Sequence, residues 1–104
     1  MSTAKKQGST TRTVPARVTS FDATLAKAFG EVVRALRAQT GLAQDRFALN
    51  AGIDRSYFGK LERGERQPSL ALLLRIAEGL GIKGAELVEL TESQIERARR
   101  PRRR

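Results

Sequence analysis

The chain has 104 residues, 39% of them apolar, with 20 Lys and Arg against 11 Asp and Glu and neither histidine nor cysteine. That length suits one small domain, and the missing His and Cys exclude disulfides, thiolate or imidazole metal sites and the commonest general base. The longest apolar run, 70–74, falls far short of the ~20 residues that span a bilayer, and the opening MSTAKKQGSTTRTVPAR lacks the apolar core of a secretory signal, so a soluble, intracellular protein with no membrane partner is expected.

The net charge of +9 points toward a polyanionic partner, but its distribution limits that inference. Residues 1–20 carry +4, residues 91–104 another +4, and 21–90 only +1. The folded segment must therefore be judged on its pattern, and ends that only aid solubility are the plain alternative for the tails.

Residues 1–20 are rich in Ser, Thr, Lys and Arg and read as a flexible basic arm, because they have too little apolar surface to offset ordering entropy. From Phe21 the pattern changes. Leu25, Phe29, Val32, Val33 and Leu36 recur at steps of three and four, predicting an amphipathic helix capped by Ser20 or Asp22 and stopped at Gly41. A shorter helix over 43–50 turns Phe47 and Ala48 inward, and a third begins at the N-cap Asp54, buries Phe58 and Leu61 and ends at a left-handed Gly64. Pro68 and Ser69 open a fourth helix with Leu70, Leu73, Leu74, Ala77 and Leu80 as its buried stripe and Gly81 as its stop. A fifth, short helix over 84–90 turns Leu87 and Leu90 inward. Thr91 and Gln94 suggest a capping box for a continuation toward Arg100, ended by Pro101. No segment alternates as a strand would, so the fold class is all-α. The organisation is an arm at 1–20, a five-helix domain at 21–90, and a helical extension with an Arg-rich tail at 91–104.

The segment QDRFALNAGIDRSYFGKLERG carries the functional signal. Two helices meeting steeply across a tight turn need a small residue where their backbones approach, supplied by Ala48, and a positive φ in the turn, supplied by Gly52. With Ile53, Phe58 and Leu61 anchored inward, the opposite face of the third helix presents Arg55, Ser56, Tyr57, Lys60 and Arg63.

Over 29–90 the sequence resembles the phage-repressor and Cro-like (XRE) helix-turn-helix family of bacterial regulators, most specifically in the run GIDRSYFGKLERGERQPSLALLLRIAEGLGI. The resemblance implies a compact five-helix bundle of lambda-repressor-like type, acting without a cofactor as a sequence-specific double-stranded DNA-binding transcriptional regulator. It implies cytoplasmic, nucleoid-associated localisation and a homodimer on an operator with two half-sites one helical turn apart, ~34 Å, with RNA polymerase or another regulatory protein as a further partner. The recognition helix, about 54–63, then lies in the major groove. By position, Arg55, Ser56 and Lys60 fall where relatives read base edges, and Gln44, Tyr57, Arg63 and Arg66 where they touch the DNA backbone. Arg55 suits guanine O6 and N7, whereas for Tyr57 packing against the core is an equal reading. Arg37 and Glu62 match a salt bridge that joins the first and third helices. Glu62 facing DNA would repel phosphate, which favours that structural role.

Two positions depart from the family pattern: Ala43 replaces a capping Ser or Thr, and Gly59 stands mid-helix where serine is usual. Each costs up to ~1 kcal/mol of local helix stability. The expected dimer contact is the fifth helix and its extension, through Leu87, Val88 and Ile95. The competing reading is a protein-interaction module, such as an antitoxin binding its toxin. A face of that kind would favour aromatic and aliphatic anchors over Arg55, Ser56, Lys60 and Arg63.

Overall fold

A computed structural model describes residues 20–100. The arm expected at 1–20, Ser20 apart, and the end of the Arg-rich tail at 101–104 lie outside the described residues. Five helices follow in order: α1 (Ala23–Thr40), α2 (Gln44–Ala51), α3 (Arg55–Glu62), α4 (Leu70–Leu80) and α5 (Gly84–Arg99), with no strand among the described residues.

Local chemistry sets most of the helix ends. Asp22, Asp54 and Ser69 each accept a backbone N–H three residues on, those of Leu25, Tyr57 and Leu72, at 3.0, 2.9 and 3.1 Å. Ala43 supplies no such side chain to α2. At the turn between α2 and α3, Gly52 takes φ 73°, which lets the Ile53 N–H reach back to the Ala48 carbonyl at 2.9 Å and close the end of the helix. Gly64, at φ 79°, serves α3 in the same way, with the Glu65 N–H on the Lys60 carbonyl at 2.9 Å.

The core gathers Phe29 and Val33 of α1, Phe47 of α2, Phe58 and Leu61 of α3, Ile76 of α4 and Leu87 of α5, all essentially without solvent contact. Each such side chain contributes roughly 1.5–3 kcal/mol of burial free energy. Phe47 and Phe58 stack with centroids 5.2 Å apart and planes 24° from parallel, locking α2 to α3. Helix α5 runs along α1, and α3 packs against both α1 and α2.

Gly30 sets how closely α1 and α3 approach. A Cβ there would lie 2.5 Å from the Leu61 carbonyl oxygen and 2.6 Å from that of Glu62, so the end of α3 rests directly on the α1 backbone. Ala48, the small residue expected at the crossing of α2 and α3, is fully buried.

Three expectations need correction. Leu70 and Leu74 are exposed rather than buried: α4 is apolar on most of its faces, and it turns Ile76 inward beside the expected Ala77. Helix α5 does not stop at Leu90. Thr91 lies inside it, buried, with its hydroxyl donating to the Leu87 carbonyl at 2.9 Å rather than capping a new helix. Leu87, expected at a dimer contact, is wholly inside the core.

Candidate nucleic-acid interface

Helix α3 is amphipathic along its whole length. Ile53 just before it, with Phe58 and Leu61 within it, is buried, while Arg55, Ser56 and Arg63 are exposed and Tyr57 and Lys60 half-buried. The half-buried Tyr57 packs against the core.

Arg37 and Glu62 clamp α3 from behind. Arg37 Nε and Nη2 donate to the two carboxylate oxygens of Glu62 at 2.6 and 3.1 Å, and Nη1 donates to the Leu42 carbonyl at 2.9 Å. The Glu62 side chain retains 2% exposure and that of Arg37 15%. The hydrogen bonds to Glu62 hold the Arg37 guanidinium above its already high ordinary pKa. Gln44 completes the clamp, its Nε2 donating to Glu62 Oε1 at 2.8 Å. Its side chain lies over Gly59, where a Cβ would stand 3.2 Å from Gln44 Oε1. Gly59, read from sequence as a local weakness, thus sits where the Gln44 amide crosses the helix. Gln44 braces α3 through its side chain, and Arg37 and Glu62 are turned toward the protein rather than the exposed face.

The exposed cations differ in their partners. Arg55 Nη1 donates to Asp45 Oδ2 at 3.0 Å, and Arg63 Nε donates to Glu65 Oε2 at 2.9 Å. The hydrogen bond from Arg63, reinforced by the fields of Lys60 and Arg66, holds the Glu65 carboxyl below its usual range, so it is ionised near neutrality. Arg66 Nη1 donates to the Glu65 carbonyl at 3.0 Å. Ser56 and Lys60 make no side-chain hydrogen bond or salt bridge among the described residues.

Sequence reasoning missed several participants. Asp45 lies ten residues and a turn before Arg55, so only the folded geometry pairs them, whereas Glu65 is two residues from Arg63 just past the end of α3. Lys27, Glu31 and Arg34 of α1 line a charged cleft with Glu62, Arg63 and Glu65. Gln67 joins the loop after α3 to the start of α1: Oε1 accepts from Asp22 N at 2.7 Å, and Nε2 donates to the Ser20 carbonyl at 2.8 Å. No group of three His, Cys, Asp or Glu residues that could hold a metal ion occurs among the described residues. None of their helices is long and apolar enough to cross a membrane.

Two short helices joined by a tight turn, the second with a cationic face held outward, define a helix-turn-helix protein. The family model described as "Helix-turn-helix domain" matches residues 28–90, and the chain belongs to that family. It is 39% identical over 67 residues to the control protein C.MunI of a Mycoplasma species, spanning 64% of this chain and 90% of that protein. Among solved structures it is similar to the restriction-modification controller protein C.AhdI from Aeromonas hydrophila, at 44% identity and TM-score 0.57, over 60% of this chain and 94% of that one. The clp gene regulator ClgR from C. glutamicum superposes with TM-score 0.64 at 27% identity, over 68% of this chain and 91% of that one.

Proposed function

We propose that the protein is a sequence-specific, double-stranded DNA-binding transcriptional regulator that places α3 in the major groove. The observation that carries this reading is the outward face of α3, where Arg55, Ser56, Lys60 and Arg63 stand on a helix anchored by Phe58 and Leu61 and clamped through Arg37 and Glu62. In this reading Arg55, Ser56 and Lys60 meet base edges. Arg63 and Arg66, with the Tyr57 hydroxyl and the backbone N–H groups at the Gln44 end of α2, meet phosphates and fix the register. The chain acts by binding rather than by catalysis, and works in the cytoplasm at the nucleoid.

The domain matches nearly the whole length of C.MunI and C.AhdI, a control protein and a controller by name, which supports a regulatory role for this domain. An eight-residue recognition helix reads too few bases for operator-level specificity alone, so two copies bind two half-sites. The surface suited to self-association lies on α4 and α5. Leu70 and Leu74 stand one turn apart and exposed, Leu74 rests over Gly84, and Val88 follows one turn along α5. Genomic footprinting, followed by binding to the recovered site at two salt concentrations, tests the reading. A discrete palindromic site is expected, and binding of equal strength to any duplex would refute it.

A further inference from the structure

Arg55 opens α3 and Asp45 lies in the first turn of α2, ten residues earlier, yet their side chains meet at 3.0 Å on the surface that the reading above turns toward DNA. The side chains are 72% and 64% exposed. An ion pair this open to water adds little to folding, and although an acid in the first turn favours the N-terminus of α2, that local effect does not require it to face Arg55. The same arrangement recurs at the other end of α3, where Glu65 faces Arg63.

Resting on the DNA-binding reading, we propose that Asp45 is a positioning residue that makes Arg55 a reader of bases instead of a phosphate anchor. A guanidinium has five N–H donors in a fixed plane. Arg55 gives one, on Nη1, to Asp45, which restricts where the guanidinium points and leaves other donors for guanine O6 and N7. The carboxylate also sets what Arg55 accepts in that position. A phosphate would bring a full negative charge close to Asp45, whereas the guanine edge is neutral and brings only partial charges. Asp45 therefore penalises backbone contacts and tolerates the base contact. The near-neutral charge of 21–90 acts in the same direction, since a weakly charged domain gains little from unspecific attraction to DNA.

The test uses the full chain as wild type, Asp45→Ala, Asp45→Glu, Arg55→Ala and the Asp45→Ala/Arg55→Ala double variant. Each is titrated with random-sequence duplex and with the recovered operator over a range of salt, and its base preference is read by selection. Asp45→Ala is expected to bind random duplex several-fold tighter. The slope of log K against log salt steepens by ~0.9, the signature of one more phosphate neutralised. Preference at the base facing Arg55 weakens, Asp45→Glu keeps it, and the double variant loses less preference than the two single losses combined. Asp45→Ala with an unchanged operator-to-random ratio and salt slope overturns the proposal. If Arg55→Ala relaxes preference in that same experiment, the DNA-reading role of α3 stands without Asp45. If Arg55→Ala also changes nothing, both fail.

Discussion

Arg37 and Glu62, 25 positions apart in sequence, meet through two hydrogen bonds at 2.6 and 3.1 Å and join the last turn of α1 to the end of α3. Removing one member leaves the other partly or wholly desolvated without its counter-charge, so Arg37→Ala is expected to cost roughly 3 kcal/mol, at the lower end for buried pairs because the guanidinium keeps some water. Arg37→Lys retains the charge but not the two-pronged geometry and should fall between. Urea unfolding followed by circular dichroism measures both. A loss below about 0.5 kcal/mol for Arg37→Ala would show that the clamp does not stabilise the fold.

Gly30 and Gly59 make a contrasting pair. Both lie inside helices, where alanine is favoured by up to ~1 kcal/mol. At Gly30 the new methyl group meets the backbone oxygens of Leu61 and Glu62, which cannot yield without moving α3 off α1. Gly30→Ala is therefore expected to destabilise by about 1–3 kcal/mol or more. At Gly59 the methyl meets only the ends of Gln44 and Arg63, at 3.2 and 3.3 Å, so Gly59→Ala should be neutral to stabilising, by up to ~1 kcal/mol. Thermal unfolding of the two variants side by side checks this, and equal melting temperatures would count against the close α1–α3 contact.

The ends of the first four helices were legible because Gly41, Gly52, Gly64 and Gly81 each follow an apolar stripe, and each adopts positive φ, whereas the end of α5 was not. The direction of α4 was not, since leucines at 70, 72, 73, 74 and 80 surround the helix and any choice of inward face satisfies the pattern. Thr91 misled for a related reason: a hydroxyl that bonds back to the carbonyl four residues earlier looks the same in sequence as one that caps the next turn. The outward cations of α3 were readable from periodicity, and the Arg37–Glu62 pairing came from the family resemblance. The acid facing Arg55 and the close approach at Gly30 depend on tertiary geometry that no local pattern encodes, whereas Glu65 lies only two residues from Arg63.

The exposed apolar residues of α4 and α5 allow a test of self-association. Leu70 is 71% exposed, Leu74 50% and Val88 40%, so polar replacements there cost the monomer little. Leu70→Ser combined with Val88→Ser is expected to shift sedimentation toward a single protomer and to weaken binding to a full operator more than to a half-site. An unaltered sedimentation profile from a dimeric wild type would place the contact elsewhere.

Deleting residues 101–104 removes three arginines while leaving α5 whole. If they lie against phosphates, the salt slope becomes shallower by ~0.9 for each phosphate that is no longer neutralised, with the preferred site unaltered. An identical slope before and after would assign the tail to solubility.

The central claim, that α3 reads bases through its outward face, is tested most directly by selecting bound sequences from a random duplex library with wild type, Arg55→Ala and Arg66→Ala. The account predicts that Arg55→Ala flattens the preference at one position in each half-site and costs roughly 1–3 kcal/mol on the operator. Arg66→Ala is predicted to weaken all sequences alike and leave the preference intact. A selected motif for Arg55→Ala identical to that of wild type, at equal affinity, would contradict it.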